Sequence, residues 1–421
     1  MKVLWFSHIV PYPPAGGASQ RSFNLIRQAS GRHTIRLVGF NSQALPKGLL
    51  EGYSKALSGY CERVDIWEMP IPWRRGLRWR VGLAVGPFSP TPYGCRCFWS
   101  KELVARLEGM VRENRDLILH FDSLDLALYS GVGADLPRVM NHHNCESALI
   151  QRRGRSARNP LKRAYLLNQA QKLARCERQV CPRFQINIVC SDIDAQALRA
   201  GGATIQTHLV ENGVDTEFFR PVPGAEEASA LIFTGLLNWE PNVNAIRYFV
   251  TEIWPLVRRG CPSARFYLAG RDPVPFVTGL PSQDRSIEVI PNPEDMRPWL
   301  ARAAVYVCPL LEGGGTRIKI LDALAMGKPV VSTSVGCEGL RVRQRENVLI
   351  GDSPQDFAGS VIEALNDPAL RQTLGRAGRT LVERHYDWSR IGLQLEDAYQ
   401  RALDRSACQA PAPASLSRSS E

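Results

Sequence analysis

The chain has no long hydrophobic run. No window approaches the roughly 18 uninterrupted apolar residues of a membrane-spanning helix, and the apolar start "VLWFSHIV" stops at Pro11. Neither a transmembrane anchor nor a signal peptide is therefore expected. Paired cysteines are lacking too: the 11 cysteines include no C-x-x-C, and the lone C-x-C of Cys95 and Cys97 has no histidine or second pair at ligand spacing nearby. That argues against a cysteine metal site and for reduced cytosolic thiols. No internal repeat at a solenoid period is visible, which sets repeat architectures aside.

What is present is the composition of a globular protein. With 421 residues and 44% hydrophobic content, the chain can build two domains of ordinary size, each with its own core. A formal charge of +11 asks for an acidic partner, and nucleic acid, anionic lipid and phosphorylated substrates all qualify.

Short β-rich apolar runs alternate with helix-length amphipathic stretches, the pattern of parallel sheets covered by helices. The first half offers "KVLWFSHIV", "TIRLVGF", "DLILHF", "RVMNHH" and "INIVCS" as strands. A second half restarts the rhythm with "ALIFTGLL", "ARFYLAG", "IEVIP", "VYVCPL" and "PVVSTS", separated by helices near 244–259, 293–303 and 317–326. Between the halves, "FFRPVPGAEEASA" reads as a linker. The expected organisation is a first α/β domain over 1–220, a second over 229–384, a helix over 385–405 returning to the first domain, and a disordered tail over 406–421.

One stretch concentrates chemistry: "CPLLEGGGTRIKILDALAMGKPVVST", from Cys308 to Thr333. It reads as a buried strand, a glycine turn and a helix, so the turn sits at the carboxyl end of a parallel strand, where such sheets bind ligands. Gly313, Gly314 and Gly315 let a bulky group approach the backbone, and the amides of Gly314, Gly315 and Thr316 would face outward at the helix start. Arg317 and Lys319 place positive charge where the helix dipole disfavours it, which an anionic ligand would explain. No G-K-[ST] follows the glycines, so this is not a Walker A loop. Read without a ligand, the same residues are a glycine turn with solvated charges.

Further motifs precede this loop in a fixed order: "PPAGGASQRSFNLIRQAS", "NHHNCES", "VCSDID", "VENGVDTEFFRP", "IFTGLLNWEPNVNAIRYF" and "FYLAGRDP". Together with "EGGGTRIKILDALAMGKPVV" they make the chain resemble the nucleotide-sugar glycosyltransferases of the GT-B fold, specifically the large retaining family 4. Three departures stand out. The second acid is Asp322 rather than Glu and lies two residues further from Glu312 than in the commonest pattern; no Arg or Lys follows the first strand of the second domain; and Pro291 replaces a Gly before "D-x-R-P".

The resemblance implies two Rossmann-like domains facing across a cleft, and transfer of a sugar from a nucleoside diphosphate with retention at the anomeric carbon. It implies a cytoplasmic enzyme peripheral to the inner membrane face, building a surface glycan, with a glycan or lipid-linked acceptor and no cofactor. Arg317, Lys319 and the Gly314–Thr316 amides would stabilise the leaving diphosphate, and, with no D-x-D motif beside this loop, no metal ion is expected. Glu312 would hold sugar hydroxyls and Asp322 the ribose. Gly16, Gly17, Gly235, Asn238 and Pro291 complete the donor side. His142 is the candidate to meet the transferred sugar, with His143, Asn144, Glu146 and His120 on the acceptor side. "IPWRRGLRWRVGLAVGPF" and "QRRGRSARNPLKR" suit an anionic membrane surface, and no nucleic-acid motif accompanies them. Two other readings share these features: an epimerase of the same fold, and a catalytically silent nucleotide-sugar or lipid-binding protein.

Overall fold

The computed structural model describes residues 1–14, 16–71, 76–157, 159–202 and 204–409, without the side chains of 76–78 and 409. Two sheets organise them. The first contains β1 (Lys2–Ser7), β2 (Thr34–Asn41), β3 (Arg63–Glu68), β4 (Leu117–Asp122), β5 (Arg138–Asn141), β6 (Ile186–Val189) and β7 (Thr207–Leu209). Their order is β3-β2-β1-β4-β5-β6-β7, with every pairing parallel. The second contains β8 (Glu227–Leu236), β9 (Arg265–Arg271), β10 (Ile287–Pro291), β11 (Ala303–Cys308), β12 (Val330–Ser332) and β13 (Leu349–Ile350). It runs β10-β9-β8-β11-β12-β13, again all parallel.

The central strands bury both faces. "VLWFS" and "AAVYVC" are buried throughout, because helices pack on each side of each sheet. In both sheets the strand order reverses beside the first strand, between β1 and β4 and between β8 and β11. A crevice opens at such a switch point beyond the carboxyl ends of the strands, and the candidate residues gather there.

Three strands have no counterpart among the apolar runs of the sequence. β3 is a half-exposed edge strand, while β7 and β13 span three and two residues and carry too few side chains to make a period. The helix expected over 244–259 is instead Glu240–Tyr248, a π turn over Phe249–Ile253, then Trp254–Gly260. Pro255, just after the π turn, has no amide to give to the preceding turn. β8 begins at Glu227, inside the stretch read as linker.

The chain passes between the sheets twice, and the two passages lie side by side. Val214 N–H donates to Tyr386 O (2.7 Å), and Trp388 N–H donates to Val214 O (3.2 Å). Gly213 is required here, since a Cβ would lie 2.7 Å from the Trp388 ring. After this second passage the helix Trp388–Gln409 packs on the helix Gly17–Ser30, burying Ile391, Leu395, Ala398, Tyr399 and Ala402 against the first sheet's core. It runs four residues past the end expected from sequence; residues 410–421 lie outside the described residues. No helix among the described residues is long and apolar enough to cross a membrane.

Candidate active site

The glycine turn after β11 is folded around Arg317. Its Nη1 donates to the carbonyls of Gly314 and Gly315, the latter at 2.7 Å. Gly313 (φ 139°) and Gly315 (φ 64°) have left-handed backbones, and a Cβ on Gly313 would lie 2.6 Å from Arg317 Nη2. The guanidinium is 9% exposed, yet its Nε and Nη2 are buried with no hydrogen-bond partner. An unsatisfied buried cation is costly, so this one is poised for an anion.

The helix begins at Ile318, one residue later than read, with Arg317 as its extended N-cap. The Thr316 backbone is not free as expected: it hydrogen-bonds the Cys190 thiol. Lys319 Nζ donates to Asn242 Oδ1 (2.8 Å) and lies 4.2 Å over the Phe233 ring. Burial lowers its ammonium to about pKa 8, with Arg317 adding to the shift. Gly235 (φ 143°) makes room for it, because a Cβ there would sit 2.9 Å from Nζ. Glu312 is half-buried and accepts from Asn244 Nδ2 at 2.7 Å. Asp322 hydrogen-bonds Gln20 of the first domain, while its Oδ1 is buried without a partner; burial raises the carboxyl to about pKa 7.

The first domain closes directly on this turn. A Cβ on Gly315 would lie 2.7 Å from Asn144 Oδ1 and 3.1 Å from His143 O, and one on Gly314 would lie 3.0 Å from Asn144 Oδ1. Gly314 and Gly315 are thus glycines partly because the other domain touches them. Gly16 (φ 103°) caps the helix Gly17–Ser30 and faces Leu236 of the second domain; Gly17 is open to solvent. Asn238 and Pro291 are exposed, one in the turn after β8 and the other at the end of β10.

Behind Asn144 lies a buried polar cluster that the sequence did not announce. Asp122, 0% exposed, accepts from Trp5 Nε1 (3.1 Å), Ser7 Oγ (3.1 Å), Ser22 Oγ (2.6 Å) and Asn141 Nδ2 (2.6 Å). His143 Nε2 lies 3.1 Å from its Oδ1. Burial pushes this carboxyl up, but the charge and hydrogen bond of His143, with His120 and His8, hold it well below the usual range. Arg21 Nη2 donates to Asn141 Oδ1 (3.0 Å) and Nη1 to Asn212 Oδ1 (3.0 Å); Asn212 Nδ2 then donates to Thr316 Oγ1 (2.7 Å). One hydrogen-bonded chain thereby runs from Asp122 to the glycine turn.

Two histidines fall away from the cleft. His142 is 1% exposed and bonded to Asn187 Oδ1 (3.1 Å), and burial lowers its imidazole to about pKa 4. Strand alternation explains this: Asn141 and His143 face Asp122, so His142 points to the opposite side. His120 stacks on Trp5 (3.6 Å between centroids) and bonds Tyr399 Oη (2.9 Å), with burial lowering it to about pKa 3. His143 therefore replaces His142 as the histidine nearest the turn. Glu146 hydrogen-bonds Asn144 (3.4 Å), and burial beside Asp125 raises it to about pKa 8.

Residues 228–367, which carry β8 to β13 and the glycine turn, match the family Glycosyl transferases group 1. In this domain the chain is similar to the group 1 glycosyltransferases. It is 31% identical over 114 residues, 25% of the chain, to a Corynebacterium glutamicum protein named GDP-mannose-dependent monoacylated alpha-(1-6)-phosphatidylinositol monomannoside mannosyltransferase. A 44.6 kDa protein in the cps region of Klebsiella pneumoniae is 22% identical over 168 residues, 38% of the chain. The matches span 30% and 43% of those relatives, less than half their length. Both domains superpose on solved GT-B structures. The Anabaena protein HepE in complex with UDP gives a TM-score of 0.67 at 15% identity, covering 95% of this chain and 100% of that one. Sucrose-phosphate synthase from Thermosynechococcus elongatus gives 0.68 at 16%, covering 96% and 100%. The chain thus has the GT-B fold, with the glycine turn in its cleft.

Proposed function

We propose that this chain is a group 1 glycosyltransferase that moves a sugar, with retention, from a nucleoside diphosphate sugar to a glycan or lipid-linked acceptor. The observation that carries the reading is the buried, half-partnered Arg317 guanidinium beside Lys319 at the glycine turn. As the bond from the anomeric carbon to the diphosphate breaks, negative charge grows on the departing phosphate. Donors fixed in place beforehand stabilise that charge more in the transition state than in the ground state. Arg317 and Lys319 supply this charge in place of a metal ion. Glu312, aimed by Asn244, holds sugar hydroxyls; Asp322, steadied by Gln20, holds the ribose. His143, oriented by Asp122, serves the acceptor side. The Corynebacterium relative is named for GDP-mannose and HepE is solved with UDP, so both bases belong in the test.

Calorimetry with UDP and GDP tests the site. Arg317→Ala should weaken binding by about 1.5–3 kcal/mol, roughly 10- to 150-fold. Lys319 must be charged to bind, so wild-type affinity should fall as pH rises above about 8. Lys319→Met should lose that alkaline limb. Affinity unchanged in both variants removes the turn from the site. Transfer should persist in EDTA, and turnover to an inverted sugar without acceptor would favour the epimerase.

A membrane-bound acceptor has support of its own. Trp73, Arg74 and Arg75 lie outside the described residues, as does the side chain of Arg78. The neighbouring surface is informative: Phe88 is 87% exposed and Leu161 82%, with Val81 and Val85 also exposed. The two segments touch, since Lys172 Nζ donates to Gly86 O (2.6 Å) beside Tyr165, one turn after Leu161. Exposed Arg80, Arg155 and Arg163 lie in the same two segments, while Lys162 is paired with Glu240 (2.5 Å). Apolar tips on segments that carry cations suit an anionic bilayer, at about 1 kcal/mol per cation. Co-sedimentation with phosphatidylglycerol vesicles should fall with salt and drop in Phe88→Ser/Leu161→Ser. Equal pelleting of variant and wild type would point to a soluble acceptor.

A further inference from the structure

A recess beside the cleft is used by nothing above. It is a shallow depression open to solvent, lined from the first domain by Tyr12, Ser19, Phe40, Gln43 and Tyr53, and from the second by Arg271. Tyr12 and Tyr53 meet edge to face, 5.4 Å between centroids. The floor is rigid. Asn41 Oδ1 accepts from Leu45 N–H (2.8 Å), and its Nδ2 donates to Leu45 O (3.1 Å) and to Glu68 Oε1 (3.0 Å). This pins the loop that presents Gln43. Arg271, at the end of β9, is exposed, and its guanidinium has no ion-pair or hydrogen-bond partner among the described residues. No carboxylate lines the recess.

The recess and the second domain's Asp322 are reached from successive residues of one helix: Ser19 lines the recess, and Gln20 bonds Asp322. The chemistry is specific. Aromatic faces and edges pack the C–H face of a pyranose, and amide and hydroxyl groups match its hydroxyls. An unpaired guanidinium fork is shaped for a carboxylate or a phosphate.

We propose that this recess is the acceptor subsite, and that the acceptor is a saccharide bearing an anionic group, carboxylate or phosphate, gripped by Arg271. The proposal rests on the transferase reading and names its acceptor class. Because Arg271 belongs to the second domain and the rest of the recess to the first, such an acceptor bridges the domains.

Saturation-transfer NMR on the full chain can test it with three probes: methyl β-D-glucuronoside, D-glucose 6-phosphate and neutral methyl β-D-glucoside. At least one anionic sugar should bind about tenfold more tightly than the glucoside. Whether the glucuronoside or the phosphate is preferred identifies the anionic group. Arg271→Gln should erase the preference, Tyr53→Ala should weaken all three probes, and UDP or GDP affinity should be unchanged in both variants. Anionic sugars binding no better than the glucoside, a preference surviving Arg271→Gln, or full displacement of the sugars by inorganic phosphate alone would overturn it. Nucleotide titration of the same samples separates the two claims: sugar binding without nucleotide binding defeats the transferase reading, and the reverse defeats this one.

Discussion

Asp122→Ala is expected to remove about 3–5 kcal/mol from the stability of the first domain, since it leaves several buried donors without the carboxylate they bond. The substitution strips Trp5, Ser7, Ser22 and Asn141 of their acceptor and removes the carboxylate beside His143. Four donors on three elements then face a void. Urea unfolding followed by tryptophan fluorescence should show the loss, and a change under about 1 kcal/mol would mean the cluster relaxes around the gap. The pH dependence has a defined sign. Asp122 is held well below the ordinary carboxylate value, so its contribution is fully present above the unfolded value of about 3.9 and is lost as pH falls from there through the folded one. Wild type should therefore lose stability in acid below about pH 4 more steeply than Asp122→Ala does.

Glu312→Ala is expected to cut transfer by at least about 100-fold while nucleoside diphosphate affinity stays within about twofold. Two charge-assisted hydrogen bonds to sugar hydroxyls, at about 1.5–3 kcal/mol each, amount to that loss when both are needed in the transition state. Glu312 sits at the start of the turn and accepts from Asn244, whereas Lys319 donates to Asn242 and Arg317 to the turn's own carbonyls. Asn244→Ala, which only frees the carboxylate to rotate, should cost less, about tenfold. Kinetics of transfer alongside nucleotide titration decide the matter. Parallel loss of both activities would place Glu312 in the nucleotide pocket.

Much of the fold was legible because central parallel strands carry unbroken apolar runs and the connecting helices are amphipathic. The glycine turn was legible because three glycines, an Arg and a Lys stand between two acids at the end of an apolar strand. What remained hidden depends on contacts distant in sequence. Asp122 reads as one more polar residue after "LILHF" until β1, β5 and the helix Gly17–Ser30 converge on it. Gln20 and Asn212 gain meaning only through Asp322 and Thr316, more than a hundred positions away. The "HH" pair drew attention to the right place but the wrong member, since a one-residue difference along a strand reverses which side a side chain faces.

The Asn212–Thr316 bond, the Gln20–Asp322 bond and the fit of Asn144 against Gly314 and Gly315 all cross between the domains, as do the ion pairs Arg152–Glu338 (2.7 Å) and Arg153–Glu240 (3.1 Å). A parting of only a few ångströms breaks them together and leaves several polar groups half-solvated, with water still unable to replace their partners. Partly open positions are thus the least favourable ones. The closed arrangement is therefore held by these contacts as a set, and loosening any one of them weakens the hold of the others.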